Sequence, residues 1–219
     1  MYKRIEFKQN NSKEVLKMAE NKKYLGNERG FTLVEIAIVL VIIGLLIGGV
    51  LKGQSMIRNA KVKRIKQDID SIVAATYGYQ DKYGYLPGDD PTNRTAAQPA
   101  SLGATSCTGG NGDGYIYGAT TEQPCAFQEL YGAGFMSGNP GDHNATTTPP
   151  RHPFGGRYII TYGTHNGFFG NYIYVDNIPF DIVQEMDEKY DDGIWNSGAI
   201  QASTAYTTAN NKDIYWYAF

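Results

Sequence analysis

The sequence predicts an α+β protein in which one long amino-terminal helix is followed by a small antiparallel sheet. Three observations lead there. Ile36 to Leu51 are 16 consecutive apolar or glycine residues. Apolar residues then recur at helical spacing as far as Tyr77. Beyond residue 155, short aromatic and β-branched runs alternate with turn-forming residues.

Taken in order, the apolar stretch counted from Phe31 has only Thr32 and Glu35 as polar members. A helix of that length spans roughly 30 Å, the thickness of a bilayer core. Gly44, Gly48, Gly49 and Gly53 lie along it at spacings that allow close helix approach. Val62, Ile65, Ile69, Ile72, Val73, Thr76 and Tyr77 extend the pattern as one apolar stripe, with Arg58, Lys61, Arg64 and Asp68 largely off it. One helix from near Phe31 to about Tyr83 is expected, stopped by Gly84 and Pro87. Residues 84–155 read as a long loop region with short elements at Tyr115–Tyr117 and Phe127–Leu130. Arg157–Tyr162 and Asn171–Val175 read as a hairpin joined across Gly163–Gly167, and Pro179–Tyr190 as a short amphipathic helix with Ile182, Val183 and Met186 inward. An aromatic strand at Asp213–Phe219 closes the chain.

Charge is unevenly distributed. Residues 1–30 hold eight Lys/Arg against four Glu. From Lys52 to Lys66 every charge is positive, and residues 68–219 carry 17 acids against six bases, net −11, behind a whole-chain value of only −2. Basic residues on both flanks of the apolar run leave its orientation open by charge alone. The basic cluster beside a membrane span suits anionic lipid or acidic neighbours, so no nucleic-acid partner is expected.

Arg29-Gly30-Phe31-Thr32-Leu33-Val34-Glu35-Ile36, set directly before the apolar run, closely resembles the processing and methylation motif of bacterial type IV prepilins and type II secretion pseudopilins. The resemblance implies a pilin-like fold and cleavage between Gly30 and Phe31, leaving 189 residues with an N-methylated Phe31. It places residues 1–30 as a cytoplasmic leader, 31–53 as a single transmembrane segment of the inner membrane, 54–83 as its amphipathic continuation and 84–219 as an exported head. Glu35, a carboxylate costly to leave alone near lipid, would meet the amino terminus of a neighbouring subunit during assembly. The partners implied are other pilin or pseudopilin subunits, the prepilin peptidase/methyltransferase, the inner-membrane assembly platform and the lipid bilayer. In an exported body Cys107 and Cys125, the only cysteines, are expected to form a disulfide that closes a 19-residue segment and stabilises by roughly 3 kcal/mol.

No catalytic constellation, cofactor or metal site is assigned. His143, His152 and His165 lack a nucleophile or ligand spacing. The acids Asp89, Asp90, Asp113, Asp187, Asp191 and Asp192 cluster at turns without a complete calcium-loop pattern, and are taken as turn caps and solvated groups. Two functions follow. The first is a structural subunit of a type IV pilus or type II secretion pseudopilus. The alternative is a membrane-anchored exported binding module, suggested by 15 of 17 tyrosines falling beyond residue 76.

Overall fold

The computed structural model describes residues 30–92, 110–138, 149–207, 210–217 and 219. The chain divides at Gln54/Ser55 into two compact units. In the first, helix α1 begins at Leu33; it is continuous to Tyr83, so its later turns belong to the second unit. Those later turns bury Val62, Ile65, Ile69, Ile72, Ala75, Thr76 and Tyr79. The spacing 62, 65, 69, 72, 76, 79 follows the helical period, which is why Tyr79 enters the core where Tyr77 was expected. Tyr77 stays 48% exposed and meets the edge of Phe219. Each fully buried Val or Ile on this stripe contributes roughly 1.5–3 kcal/mol of burial free energy.

A π-helical turn, Gly118–Glu122, runs into α2, Gln123–Gly132, with Pro124 in its first turn where a missing N–H costs nothing. Strands β1 (Tyr158–His165) and β2 (Phe168–Ile178), helix α3 (Phe180–Tyr190) and strands β3 (Ile200–Ala202) and β4 (Lys212–Trp216) follow. The sheet is antiparallel throughout, in the order β1-β2-β4-β3. Its inner face supplies Ile160, Ile173, Val175, Ile200, Ala202, Ile214 and Trp216 to one core shared with the α1 stripe, Phe127 and Leu130 of α2, and Ile182, Val183 and Met186 of α3. This is the α+β, pilin-like fold expected.

The β1–β2 hairpin is longer than the sequence suggested. Its turn is only Asn166-Gly167, both at positive φ, as a two-residue turn matched to strand twist requires. Gly163 pairs with Gly170 inside the ladder, and Tyr172 lies over the first of them: a Cβ on Gly163 would stand 2.9 Å from the Tyr172 hydroxyl. At the far end Asn177, at φ 57°, marks the register shift between Val175 and Ile178. The outer face carries Tyr172, Tyr174 and Tyr215 with ring centroids 5.4–5.5 Å apart, and His165 stacks on Tyr215 at 3.7 Å. Arg58 fastens α1 to α3, donating to Asp181 at 2.6 Å and to Glu185 at 3.1 Å.

The disulfide expectation is not met among the described residues: no disulfide bond stands there, and Cys107 lies outside them. Cys125 is not a free thiol. It is buried within α2 between Pro124 and Ala126.

Candidate processing and assembly site

Gly30 is exposed, and a Cβ built on it would meet nothing within 4 Å. Folding therefore imposes no steric demand for glycine at this position. Thr32 and Glu35 form a reciprocal capping box at the start of α1. The Thr32 N–H and its Oγ1 hydroxyl donate to Glu35 Oε2 at 2.8 and 2.9 Å, and the Glu35 N–H donates back to Thr32 Oγ1 at 3.2 Å. The spacing T-x-x-E before an apolar run is a readable signal for this role. Where the family resemblance gives Glu35 a neighbouring chain, the structure first gives it a partner three residues away.

From Phe31 to Leu51 the large apolar side chains are exposed, Leu33 at 90% and Leu45 at 73%. The first five turns of α1 thus have no apolar cover of their own among the described residues. Leaving such side chains in water forfeits roughly 1.5–3 kcal/mol each. Among the described residues α1 is the one helix long and apolar enough to cross a bilayer. Gly44, Gly48, Gly49 and Gly53 also meet nothing at an added Cβ, so they contact no other part of the described chain closely.

Residues 25–51 match the prokaryotic N-terminal methylation motif. The methylation motif thus includes Gly30, Phe31 and Glu35 and extends to the end of the apolar run. No curated protein and no solved structure matches the chain. The prepilin-type methylation motif and one exposed apolar amino-terminal helix are together consistent with a single-pass membrane anchor.

The acids expected at turns prove to be structural anchors. Asp89, 1% exposed, accepts backbone N–H groups from Gly112 at 2.7 Å, Gly114 at 2.8 Å and Asn111 at 3.4 Å. Glu122 accepts the Tyr117 N–H at 2.9 Å and Glu129 the Gly88 N–H at 2.7 Å. Gly88 is at φ 91°, and a Cβ there would stand 2.5 Å from the Glu122 carbonyl oxygen, so only glycine fits this crossing. Burial raises the pKa of the Glu122 carboxyl, and the nearby Asp89 and Asp113 add to the rise. Tyr79 donates to Asp90 at 3.0 Å, tying the end of α1 to the turn that follows it. The second acidic group closes a different loop. Asp187 accepts from Tyr206 and from the Gly193 N–H, Asp191 from the Ile200 N–H, and Asp192 from Ser197 and the Ile194 N–H.

His143 lies outside the described residues. His165 faces the Ala202 carbonyl at 3.1 Å. His152 is buried, and its tautomer is set by its neighbours: the Phe154 N–H donates to Nδ1 at 3.2 Å, so Nε2 carries the proton and donates to the Asp176 carbonyl at 2.7 Å. Burial lowers its pKa below the ordinary 6.5, against the opposing pull of Asp176 and Asp68. A depressed histidine pKa means that the unfolded chain takes up the proton first. This contribution to stability is complete above the unfolded pKa and is lost as pH falls below it towards the folded pKa. Glu122 and Asp187, whose pKa values are raised, act in the opposite sense. Comparing wild type with His152→Gln by thermal denaturation at pH 7 and pH 5 isolates the histidine. The wild type is expected to lose more stability over that interval than the variant; equal losses would refute the assignment.

Proposed function

We propose that this chain is a structural subunit of a type IV pilus or type II secretion pseudopilus, made as a precursor in the bacterial inner membrane. The observation that carries the proposal is a methylation motif that spans Gly30 and Phe31 and runs into an apolar helix exposed among the described residues. Removal of the 30-residue leader by a prepilin peptidase turns the Phe31 nitrogen into an amine, which the same class of enzyme methylates. That cationic amine lies one residue before Thr32, whose N–H already donates to Glu35. In the assembled fibre Glu35 meets the amine of a neighbouring subunit, and the apolar faces of adjacent α1 helices cover one another in place of lipid. The acidic body is exported and displayed on the filament, with the membrane assembly platform supplying the subunits.

The glycine requirement then comes from the peptidase alone. Intact-mass analysis of shear-released material is expected to show a chain beginning at N-methylated Phe31. Gly30→Leu is expected to insert normally, keep its thermal stability and retain the leader. Assembled material that still begins at Met1 would overturn the proposal.

A further inference from the structure

We infer that the loop carrying Tyr115 and Tyr117 is a binding platform for neutral oligosaccharides. Tyr115 and Tyr117 are 46% and 45% exposed, while Ile116 between them is fully buried. Alternation of this kind plants the middle residue in the core and turns its neighbours outward. Tyr115 packs against Tyr162 of β1 with centroids 4.4 Å apart, forming a paired aromatic surface. Beside it stand two exposed polar groups held in a fixed arrangement. The Asn111 amide donates to Asp113 Oδ2 at 3.0 Å and to the Tyr117 hydroxyl at 3.3 Å, and Asp113 Oδ1 accepts the Tyr115 N–H at 2.9 Å.

Rigidity at this surface comes from beneath. Asp89 holds the amides of residues 111, 112 and 114, and Glu122 holds that of Tyr117. Asn171 of β2 accepts the Ile116 N–H at 3.0 Å and donates to the Gly114 carbonyl at 2.9 Å. Three buried side chains thus fix the backbone of a loop whose own tyrosines face solvent. A platform ordered before binding loses little conformational entropy when a ligand arrives.

The chemistry of the platform selects the ligand. Ring faces suit the C–H face of a pyranose, and the amide, carboxylate and phenol suit its hydroxyls, which both donate and accept. A carboxylate oxygen has more than one lone-pair site, so Asp113 retains acceptor capacity beyond its present bonds. Charge excludes the polyanionic alternatives: residues 68–219 carry net −11, Asp113 stands within the platform, and no Lys or Arg lies between Arg94 and Arg151.

The test uses the full chain in lipid nanodiscs or in a detergent without a sugar headgroup, titrated calorimetrically with cellohexaose, chitohexaose, mannohexaose and hexagalacturonate. At least one neutral hexasaccharide is expected to bind saturably, with hexagalacturonate much weaker. Tyr115→Ala and Tyr117→Ala should each weaken binding roughly tenfold, the equivalent of one lost aromatic contact. Tyr115→Phe should keep most of the affinity, and Tyr77→Ala, at an equally exposed tyrosine elsewhere, should keep all of it. Absence of saturable binding by every neutral sugar at millimolar concentration would overturn the proposal. So would binding that both alanine variants retain in full. A platform that instead drives self-association, abolished by Tyr115→Ala without any sugar, would overturn it as well. None of these outcomes depends on filament assembly, so this inference and the proposed structural role can fail separately.

Discussion

Glu35→Ala is expected to leave membrane insertion and leader removal largely intact while lowering recovery in shear-released filaments about tenfold or more, equivalent to ~1.4 kcal/mol or more at each subunit contact. The local cost is small by comparison. Losing the capping box with Thr32 removes about 1 kcal/mol from the first turn of α1, too little to melt an apolar helix held in lipid. Two roles for the carboxylate can be separated by Glu35→Gln. Glutamine still accepts the Thr32 N–H and completes the box, but it carries no charge for a neighbour's amine. If the ionic contact governs assembly, Glu35→Gln fails as badly as Glu35→Ala. Normal incorporation of a correctly processed Glu35→Gln subunit would reduce the residue to a helix cap and remove its assembly role. Processed precursor and incorporated subunit must be measured separately, because a defect in cleavage alone would mimic a defect in assembly.

Asp89→Ala is expected to be among the most damaging single changes in the second unit. The substitution removes a carboxylate 1% exposed and leaves the amides of Asn111, Gly112 and Gly114 without that acceptor. A buried, charge-assisted acceptor of this kind is worth about 3–5 kcal/mol when its partners are left behind. For a domain of this size that corresponds to a fall in melting temperature of roughly 10 °C. Asp89→Asn keeps one acceptor oxygen but turns an N–H towards one of the donors, and is expected to lose about half as much. Near-UV circular dichroism on heating would read both. A fall of less than roughly 3 °C for Asp89→Ala would show that the loop does not depend on this anchor.

What was legible in the sequence follows from how each feature is encoded. Local periodicity carried α1, the hairpin and α3, because each buries a face whose apolar residues repeat along the chain: Ile65, Ile69 and Ile72 in one, Ile173 and Val175 in another, Ile182, Val183 and Met186 in the third. Helix α2 was legible only as a short element at Phe127–Leu130. Its buried surface includes Gln128 and Glu129, and Pro124 in its first turn resembles a breaker until the helix start is known. Strand β3, three residues long, has too little pattern to read and exists through its pairing with β4. The acids at turns were located correctly as caps, but their depth was not readable. Asp89 looks solvated in sequence because the amides that satisfy it come from more than 20 residues away. At the candidate site the motif identified Gly30, Phe31 and Glu35, while the partner that Glu35 holds within its own chain came from geometry.

The open surroundings of Gly30 and of the four α1 glycines between residues 44 and 53 have a consequence for saturation mutagenesis. A Cβ at Gly44, Gly48, Gly49 or Gly53 meets no neighbour among the described residues, and alanine there favours the helix by up to about 1 kcal/mol. For small apolar substitutions, a screen scored on protein abundance would therefore be blind to these five positions. Any depletion they show when the same library is scored on surface display records contacts made by other molecules, with no correction for misfolding. The first unit can thus serve as a map of its binding neighbours, read one residue at a time against a flat background.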